Sequence, residues 1–319
     1  MIQLKEWQHY QGLGQKPADF DTFWDKNLAL LDLSQEVQIE PVAIPSQVAN
    51  FYDLTFIGVD QARIHCQLIT PKQLTGKHKG LLQFHGYHGD AGDFQDKIGW
   101  VAEGFVVLAM DARGQGGLSE DRTQTAGGVM KGLIIRGVEE GPDNLYFKRV
   151  FLDTAQAANI LMGLAYVDET EIYAQGASQG GGLTMACAGL VPEIKKVIVS
   201  YPFLSDYRQA YQLTPQTSAF EELAYWFQFR DPLHKQEETF FNTLEYIDIQ
   251  HLASRVKAEV YWVMGMQDSV VPPETQLATY NKLTSPKELI CLPEYGHEYL
   301  PKVSDELRHV FMDSDSFLS

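Results

Sequence analysis

The sequence predicts an α/β fold: a mostly parallel, doubly wound sheet with an N-terminal antiparallel hairpin and a helical excursion. Three observations predict it. Short apolar runs at 81–84, 105–110, 171–175, 196–200, 260–264 and 288–292 alternate with helical patterns at 93–103, 145–164, 181–190, 273–283 and 304–312. Strands that are apolar throughout, with helices between them, belong to a parallel sheet covered on both faces. Two adjoining β patterns precede this alternation, and one long stretch, 201–255, interrupts it.

The elements follow in order. Phe20, Phe23, Trp24, Leu28 and Leu31 recur at helical spacing and Pro17 suits a first turn, so a helix is expected over 17–31. It sits within an N-terminal helical extension, residues 1–50. Residues 51–59 and 62–70 read as two strands, the second alternating Ile64, Cys66 and Leu68 with Arg63, His65 and Gln67. The short gap between them marks a hairpin. The apolar runs from 81 onward supply the parallel strands. Residues 115–144 form a long Gly-rich connection, of a length that tends to be functional. Residues 201–255 carry aromatic-rich helical pieces such as 220–229 and are expected beside or above the sheet, as a cap or an oligomer contact. No repeat or Pro/Ser-rich linker divides the chain, so one domain over 1–319 is expected.

Composition narrows the partners. Forty-two Asp and Glu against 25 Lys and Arg leave a formal charge of −17, which repels phosphate backbones and anionic membrane surfaces. Neutral small molecules fit better, and neither nucleic acid nor membrane is expected as a partner. Cys66, Cys187 and Cys291 are far apart and in no C-x-x-C pattern, which argues against a disulfide framework or a zinc site. The first residues carry no apolar h-region and no N-glycosylation sequon appears, so a cytoplasmic protein with reduced thiols is expected.

The chemistry centres on Gly176-Ala177-Ser178-Gln179-Gly180. This Gly-x-Ser-x-Gly lies between an expected strand and an expected helix, the context of a nucleophile elbow. Such a turn exposes the Ser178 hydroxyl at a helix N-terminus, where free N–H groups can meet developing negative charge. The pentapeptide is short enough to arise by chance, so its weight depends on its partners. A nucleophilic Ser needs a base, an acid that orients the base, and an oxyanion hole. Of the downstream histidines, His234 and His251 lie in the excursion and His309 on the last helix. His297 follows the last strand in a Gly-bearing loop, at the sheet edge where Ser178 emerges. Asp268 directly follows the penultimate strand and is the candidate acid. Asp206, Asp231 and Asp248 lie in the excursion and read as solvated or capping residues. The oxyanion donors are expected to be the N–H of Gln179 and that of Tyr87, in His85-Gly86-Tyr87-His88-Gly89 after an earlier strand. A metal reading of His85, His88 and Asp90 offers three ligands in one loop with no second cluster, so no metal is expected. Arg113 and Gln115, in Asp111-Ala112-Arg113-Gly114-Gln115-Gly116, read as residues bracing the active-site loops, with direct substrate contact as the lesser reading. No G-x-G-x-x-G pattern supports dinucleotide binding. Tyr87, Phe203 and Tyr207, with Tyr201, are candidates to line a substrate pocket.

With these residues in place the chain resembles the acetyl xylan esterase/cephalosporin-C deacetylase family of α/β hydrolases. The likeness rests on Pro17 to Trp24, Arg113-Gly114-Gln115-Gly116, Gly176-Ala177-Ser178-Gln179-Gly180-Gly181 and Gly296-His297-Glu298. It implies deacetylation of small acetylated sugars, notably xylo-oligosaccharides, and of cephalosporin C, through an acetyl-enzyme. It also implies a hexameric ring and no cofactor, with Ser178, His297 and Asp268 as the triad and the Tyr87 and Gln179 N–H groups as the oxyanion hole. Residues 131–144 match the family less well than their surroundings. A serine peptidase or longer-chain esterase on the same fold, or a hydrolase-like binding protein without catalysis, are the rival readings.

Overall fold

The computed structural model describes residues 7–125, 131–213 and 219–312. Residues 126–130 of the Gly-rich connection and 214–218 of the excursion lie outside the described residues. The strands are β1 Gln38–Val42, β2 Ala49–Ile57, β3 Arg63–Pro71, β4 His78–Phe84, β5 Val106–Met110, β6 Val167–Ala177, β7 Lys196–Ser200, β8 Glu259–Gly265 and β9 Lys287–Leu292. They form one sheet in the order β1-β2-β3-β5-β4-β6-β7-β8-β9. The β1–β2, β2–β3 and β3–β5 pairs are antiparallel. Every pair from β5–β4 to β8–β9 is parallel.

The helices are α1 Phe20–Leu28, α2 Ile98–Ala102, α3 Tyr146–Gly163, α4 Gln179–Leu190, α5 Tyr207–Leu213, α6 Glu221–Phe229, α7 Glu237–Leu244, α8 Ile249–Leu252, α9 Pro273–Lys282 and α10 Val303–Met312. Side chains alternate across each strand, so the central strands feed two apolar cores. Leu82, Ile172, Ala174, Val197, Val260 and Trp262 point into the core shared with α3 and α4. Leu81, Tyr173, Ile198, Tyr261 and Val263 point into the other, which Phe311 of α10 closes. The excursion joins the first core through Phe220, Leu223, Trp226, Phe227, Phe240 and Phe241.

Two expectations need correction. The N-terminal 1–50 segment is not helical throughout: α1 is shorter than the 17–31 pattern, and residues 38–42 form the edge strand β1. Gln38, Ile39, Glu40 and Pro41 are exposed, so β1 lacks the buried alternation that reveals a strand. The 93–103 pattern is also divided, into a 3₁₀ turn at Phe94–Lys97 and the short α2. Helix α1 acts as a tie across the chain. Its Trp24 stacks on Phe151 of α3 at 5.8 Å and donates its indole N–H to the Tyr246 carbonyl at 3.1 Å.

Behind the C-terminal edge of β5 lies a buried ion pair. Arg113 is fully buried and holds Asp153 of α3 with two donors, Nη2 to Oδ1 at 2.7 Å and Nε to Oδ2. Nη2 also reaches the Val59 carbonyl at 3.0 Å, tying the hairpin turn to α3. Gly58 packs against the pair so closely that a Cβ there would lie 2.5 Å from Asp153 Oδ1. Arg113 is therefore a brace between the hairpin, the loop after β5 and α3, and its burial removes the lesser reading of substrate contact.

Removing one partner of a buried pair leaves the other charge uncompensated, which costs about 3–5 kcal/mol. Arg113→Met is expected to lower the urea midpoint by a stability loss of that order while circular dichroism still reports a native sheet. An unchanged midpoint would show that the brace contributes nothing.

Candidate active site

Ser178 stands alone between β6 and α4 in a turn that the chain closes with no spare room. A Cβ on Gly176 would lie 2.3 Å from the Gly180 carbonyl oxygen, and one on Gly180 would lie 2.0 Å from that of Phe84. Only glycine permits such backbone contacts. Ser178 itself has φ 57 and ψ −121, in the region that residues with a side chain rarely adopt. Three bonds hold it there: its N–H donates to the Ser200 carbonyl at 2.9 Å, and its carbonyl accepts from Phe203 N–H at 2.9 Å and Gly182 N–H at 3.0 Å.

The loops after β8 and β9 bring the two partners to this turn. A Cβ on Gly265 would sit 2.4 Å from the Gly296 carbonyl oxygen, and Gln267 N–H donates to Tyr295 O at 2.8 Å. The two loops thus pack backbone to backbone. Asp268 Oδ1 accepts the Val270 and Val271 N–H groups at 2.9 and 2.8 Å. That anchors the carboxylate and leaves Oδ2 for His297 Nδ1, 2.8 Å away. His297 Nε2 lies 2.9 Å from Ser178 Oγ. With Nδ1–H donated to the carboxylate, Nε2 is free to accept the Ser178 hydroxyl proton. The Tyr201 ring packs on the imidazole at 4.5 Å between centroids. Ser178, His297 and Asp268, expected together, stand in one hydrogen-bonded line.

The loop after β4 approaches from the other side and is tied at several points. His85 donates Nδ1–H to the Gly86 carbonyl at 2.7 Å and accepts Ala112 N–H on Nε2 at 2.9 Å. Burial lowers its pKa, which keeps it neutral in this role. Both ring nitrogens are engaged, so the three-ligand metal reading of the loop loses its first ligand. His88 N–H donates to Gln115 Oε1 at 2.8 Å, and Gly116 N–H to the Gly89 carbonyl at 2.9 Å. The Gln115 and Gln179 amides pair reciprocally, with Gln115 Nε2 on Gln179 Oε1 at 2.8 Å and Gln179 Nε2 on Gln115 Oε1 at 3.1 Å. Gln115 Nε2 also donates to Tyr146 Oη at 2.9 Å, whose hydroxyl donates to the Arg113 carbonyl at 2.5 Å. Gln115 and the Arg113 carbonyl thus tie the loop after β4 to the loop after β5 and to α3. Among the described residues no hydrogen bond to a loop or side-chain acceptor is made by the Tyr87 or Gln179 backbone N–H.

Two expected pocket residues do not line a pocket. Phe203 is fully buried and Tyr207 is 2% exposed. Phe203 packs on Tyr87 at 5.5 Å and Phe220 at 4.7 Å, and the Tyr207 hydroxyl donates to the Ile247 carbonyl. Both follow β7 as expected, but the turn at 201–206 directs them into the core, leaving Tyr201 as the aromatic beside the imidazole. Two rival histidines are engaged elsewhere, His251 with Nε2 on Glu245 at 2.7 Å and His234 stacked on Phe227, and His309 lies on α10. Asp231 and Asp248 accept backbone N–H groups as capping residues do, but they and Asp206 are buried rather than solvated. Several supporting residues carried no sequence signal. Asp111 accepts Ala91 N–H at 2.8 Å, Leu118 N–H at 2.9 Å and contacts His65 Nδ1 at 2.7 Å. Asp153, Tyr146 and Glu222 meet partners 40, 31 and 135 residues away, and no local pattern marks them.

Comparison with known proteins follows this geometry. A family model described as acetyl xylan esterase (AXE1) matches residues 1–314. Acetyl xylan esterase 1 from Thermoanaerobacterium sp. superposes with a TM-score of 0.93 at 41% identity, covering 97% of this chain and 98% of that one. The acetyl xylan esterase from Paenibacillus sp. R4 gives 0.91 at 34% identity, with 97% and 98% coverage. Acetyl esterase Axe7A of Xylanibacter ruminicola is 28% identical over 303 residues, 89% of this chain, and the chain spans only 64% of that protein's length. Dipeptidyl peptidase 4 of Porphyromonas gingivalis gives a TM-score of 0.59 at 16% identity over 83% of this chain and 35% of that one, a likeness of fold alone. The fold is that of the α/β hydrolases.

The approach of α4 to β4 yields a direct test. A methyl group on Gly180 must displace the Phe84 carbonyl, so Gly180→Ala is expected to cost about 1–3 kcal/mol by overpacking. The same displacement moves Ser178, and labelling of Ser178 by a fluorophosphonate should slow at least tenfold. Wild-type stability and labelling together would refute the contact.

Proposed function

We propose, from the premise that this chain belongs to the acetyl xylan esterase family, that it is a serine esterase removing acetyl groups from small acetylated carbohydrates. The observation that carries the reading is the Ser178–His297–Asp268 line with its 2.9 and 2.8 Å contacts beside two unused N–H donors. His297 takes the proton of Ser178 as Oγ attacks the acetyl carbonyl. Asp268 holds the imidazole in the required tautomer and stabilises the imidazolium. The Tyr87 and Gln179 N–H groups receive the oxyanion. The intermediate collapses to an acetyl-enzyme as His297 returns the proton to the departing sugar hydroxyl. A water then repeats the sequence, and acetate leaves with Ser178 restored. No step requires a cofactor.

Xylo-oligosaccharide acetates are the substrates this reading favours, with the acetyl ester of cephalosporin C as a second substrate. A neutral sugar also suits a chain whose −17 charge disfavours anionic partners. Hexameric assembly and a cytoplasmic location belong to the same proposal. No helix among the described residues is long and apolar enough to cross a membrane.

Ser178→Ala is expected to reduce hydrolysis of a chromogenic acetate on the order of 10⁴-fold or more. Acetyl esters should be cleaved faster than butyryl and octanoyl esters or peptide anilides, with acetate release from acetylated xylo-oligosaccharides as the physiological readout. Activity retained by Ser178→Ala overturns the mechanism, and preference for anilides or octanoyl esters overturns the substrate class. Because His297 must be neutral to accept the proton, kcat/KM should fall on acidification. A flat acid limb would exclude it as the base.

A further inference from the structure

The Tyr87 side chain makes a buried contact that the proposed mechanism leaves unused. Its hydroxyl donates to Glu222 Oε1 at 2.5 Å and accepts the Leu133 N–H at 2.9 Å. Glu222 lies in the first turn of α6, within the excursion, and is 2% exposed. Its second oxygen, Oε2, accepts the Ile135 N–H at 3.1 Å. Three separate segments therefore meet at one carboxyl group: the loop after β4, the end of the Gly-rich connection, and the excursion. The fit is close, since a Cβ on Gly132 would lie 2.3 Å from Glu222 Oε2. The Tyr87 ring is held further by Phe203 at 5.5 Å and His88 at 4.1 Å.

A tyrosine fixed at its tip has little freedom at its Cα, and the Tyr87 backbone N–H is the donor expected at the oxyanion. We propose that Glu222 is a positioning residue for the oxyanion hole: by holding the Tyr87 hydroxyl it sets the direction of the Tyr87 N–H. The inference rests on the esterase reading above, in which that N–H receives the oxyanion. Glu222 touches no reacting atom and acts only through Tyr87. Its two oxygens accept from the Tyr87 O–H and the Ile135 N–H. A glutamine that keeps its oxygen on the Ile135 N–H turns its NH₂ group toward the Tyr87 hydroxyl, which must then accept rather than donate, so the charge-assisted bond to a carboxylate is lost. Burial pushes the carboxyl up to about 7, while the Tyr87 hydroxyl and the facing backbone N–H groups favour its charged form.

The test is a double-mutant cycle of Glu222→Gln, Tyr87→Phe and the pair, with kcat and KM measured on a chromogenic acetate and folding checked by thermal melting. Each folded single variant is expected to lose about 10- to 100-fold in kcat, less than deletion of an oxyanion donor, with KM within about threefold of wild type. The double variant should be no worse than the more severe single, because both changes cut the same strut. Wild-type kcat in either single variant, a loss confined to KM, or multiplying losses would overturn the proposal. If Glu222→Gln does not fold, Tyr87→Phe decides alone, since it removes one hydroxyl and leaves Glu222 in place. Wild-type protein that neither hydrolyses acetates nor reacts with a fluorophosphonate would instead defeat the esterase reading, and this proposal with it.

Discussion

The arrangement of the site depends on one backbone contact, the seating of the first turn of α4 under the carbonyl of Phe84. Gly180 makes the contact, and the space is too small for any side chain. Its consequence reaches both halves of the site, because Phe84 is the last residue of β4 and His85-Gly86-Tyr87 follows at once. The helix that carries Ser178 and the Gln179 N–H is thereby registered against the loop that carries the Tyr87 N–H. Two distant parts of the sequence are registered through main-chain contact, with no flexible side chain in between. A similar approach, Gly265 against the Gly296 carbonyl, registers the Asp268 and His297 loops. Small residues at these crossings fix distances that longer side chains would leave adjustable.

Around these crossings the loops are tied by neutral groups as well as by the Asp111 and Glu222 carboxylates. The Gln115–Gln179 amide pair, the Tyr146 hydroxyl and the His85 imidazole link the loop after β4 to the loop after β5. Neutral amides stiffen a loop without adding a charge to it. Arg113 and Asp153 are buried together behind the network.

Much of this was legible in the sequence. The parallel strands are apolar runs because both of their faces are buried, and that pattern survives without knowledge of neighbours. Ser178, Asp268 and His297 could be placed because each follows a recognisable strand, and strand ends in such a sheet gather at one edge. β1 was not legible, since an exposed edge strand containing Pro41 has no face to reveal. Phe203 and Tyr207 were assigned to a pocket because their position after β7 was correct, but the direction of a side chain in an irregular turn is set by packing. Glu222 and Asp153 were invisible for another reason. Their partners, Tyr87 and Arg113, are 135 and 40 residues away, and an acidic residue in a helix has the same local appearance on a surface as in a buried contact.

The backbone of Ser178 has a consequence beyond geometry. Its φ of 57 is held by three main-chain hydrogen bonds and by the glycines beside it. A conformation of this kind stores on the order of 1–3 kcal/mol, supplied by the packing of the surrounding sheet. On the proposed mechanism, the residue at position 178 is chosen for reactivity against its own backbone preference. Selection for a sturdier protein would favour glycine there, and selection for turnover forbids it. The two pressures meet at a single codon, so a lineage released from the need for catalysis should lose this serine early while keeping the fold around it.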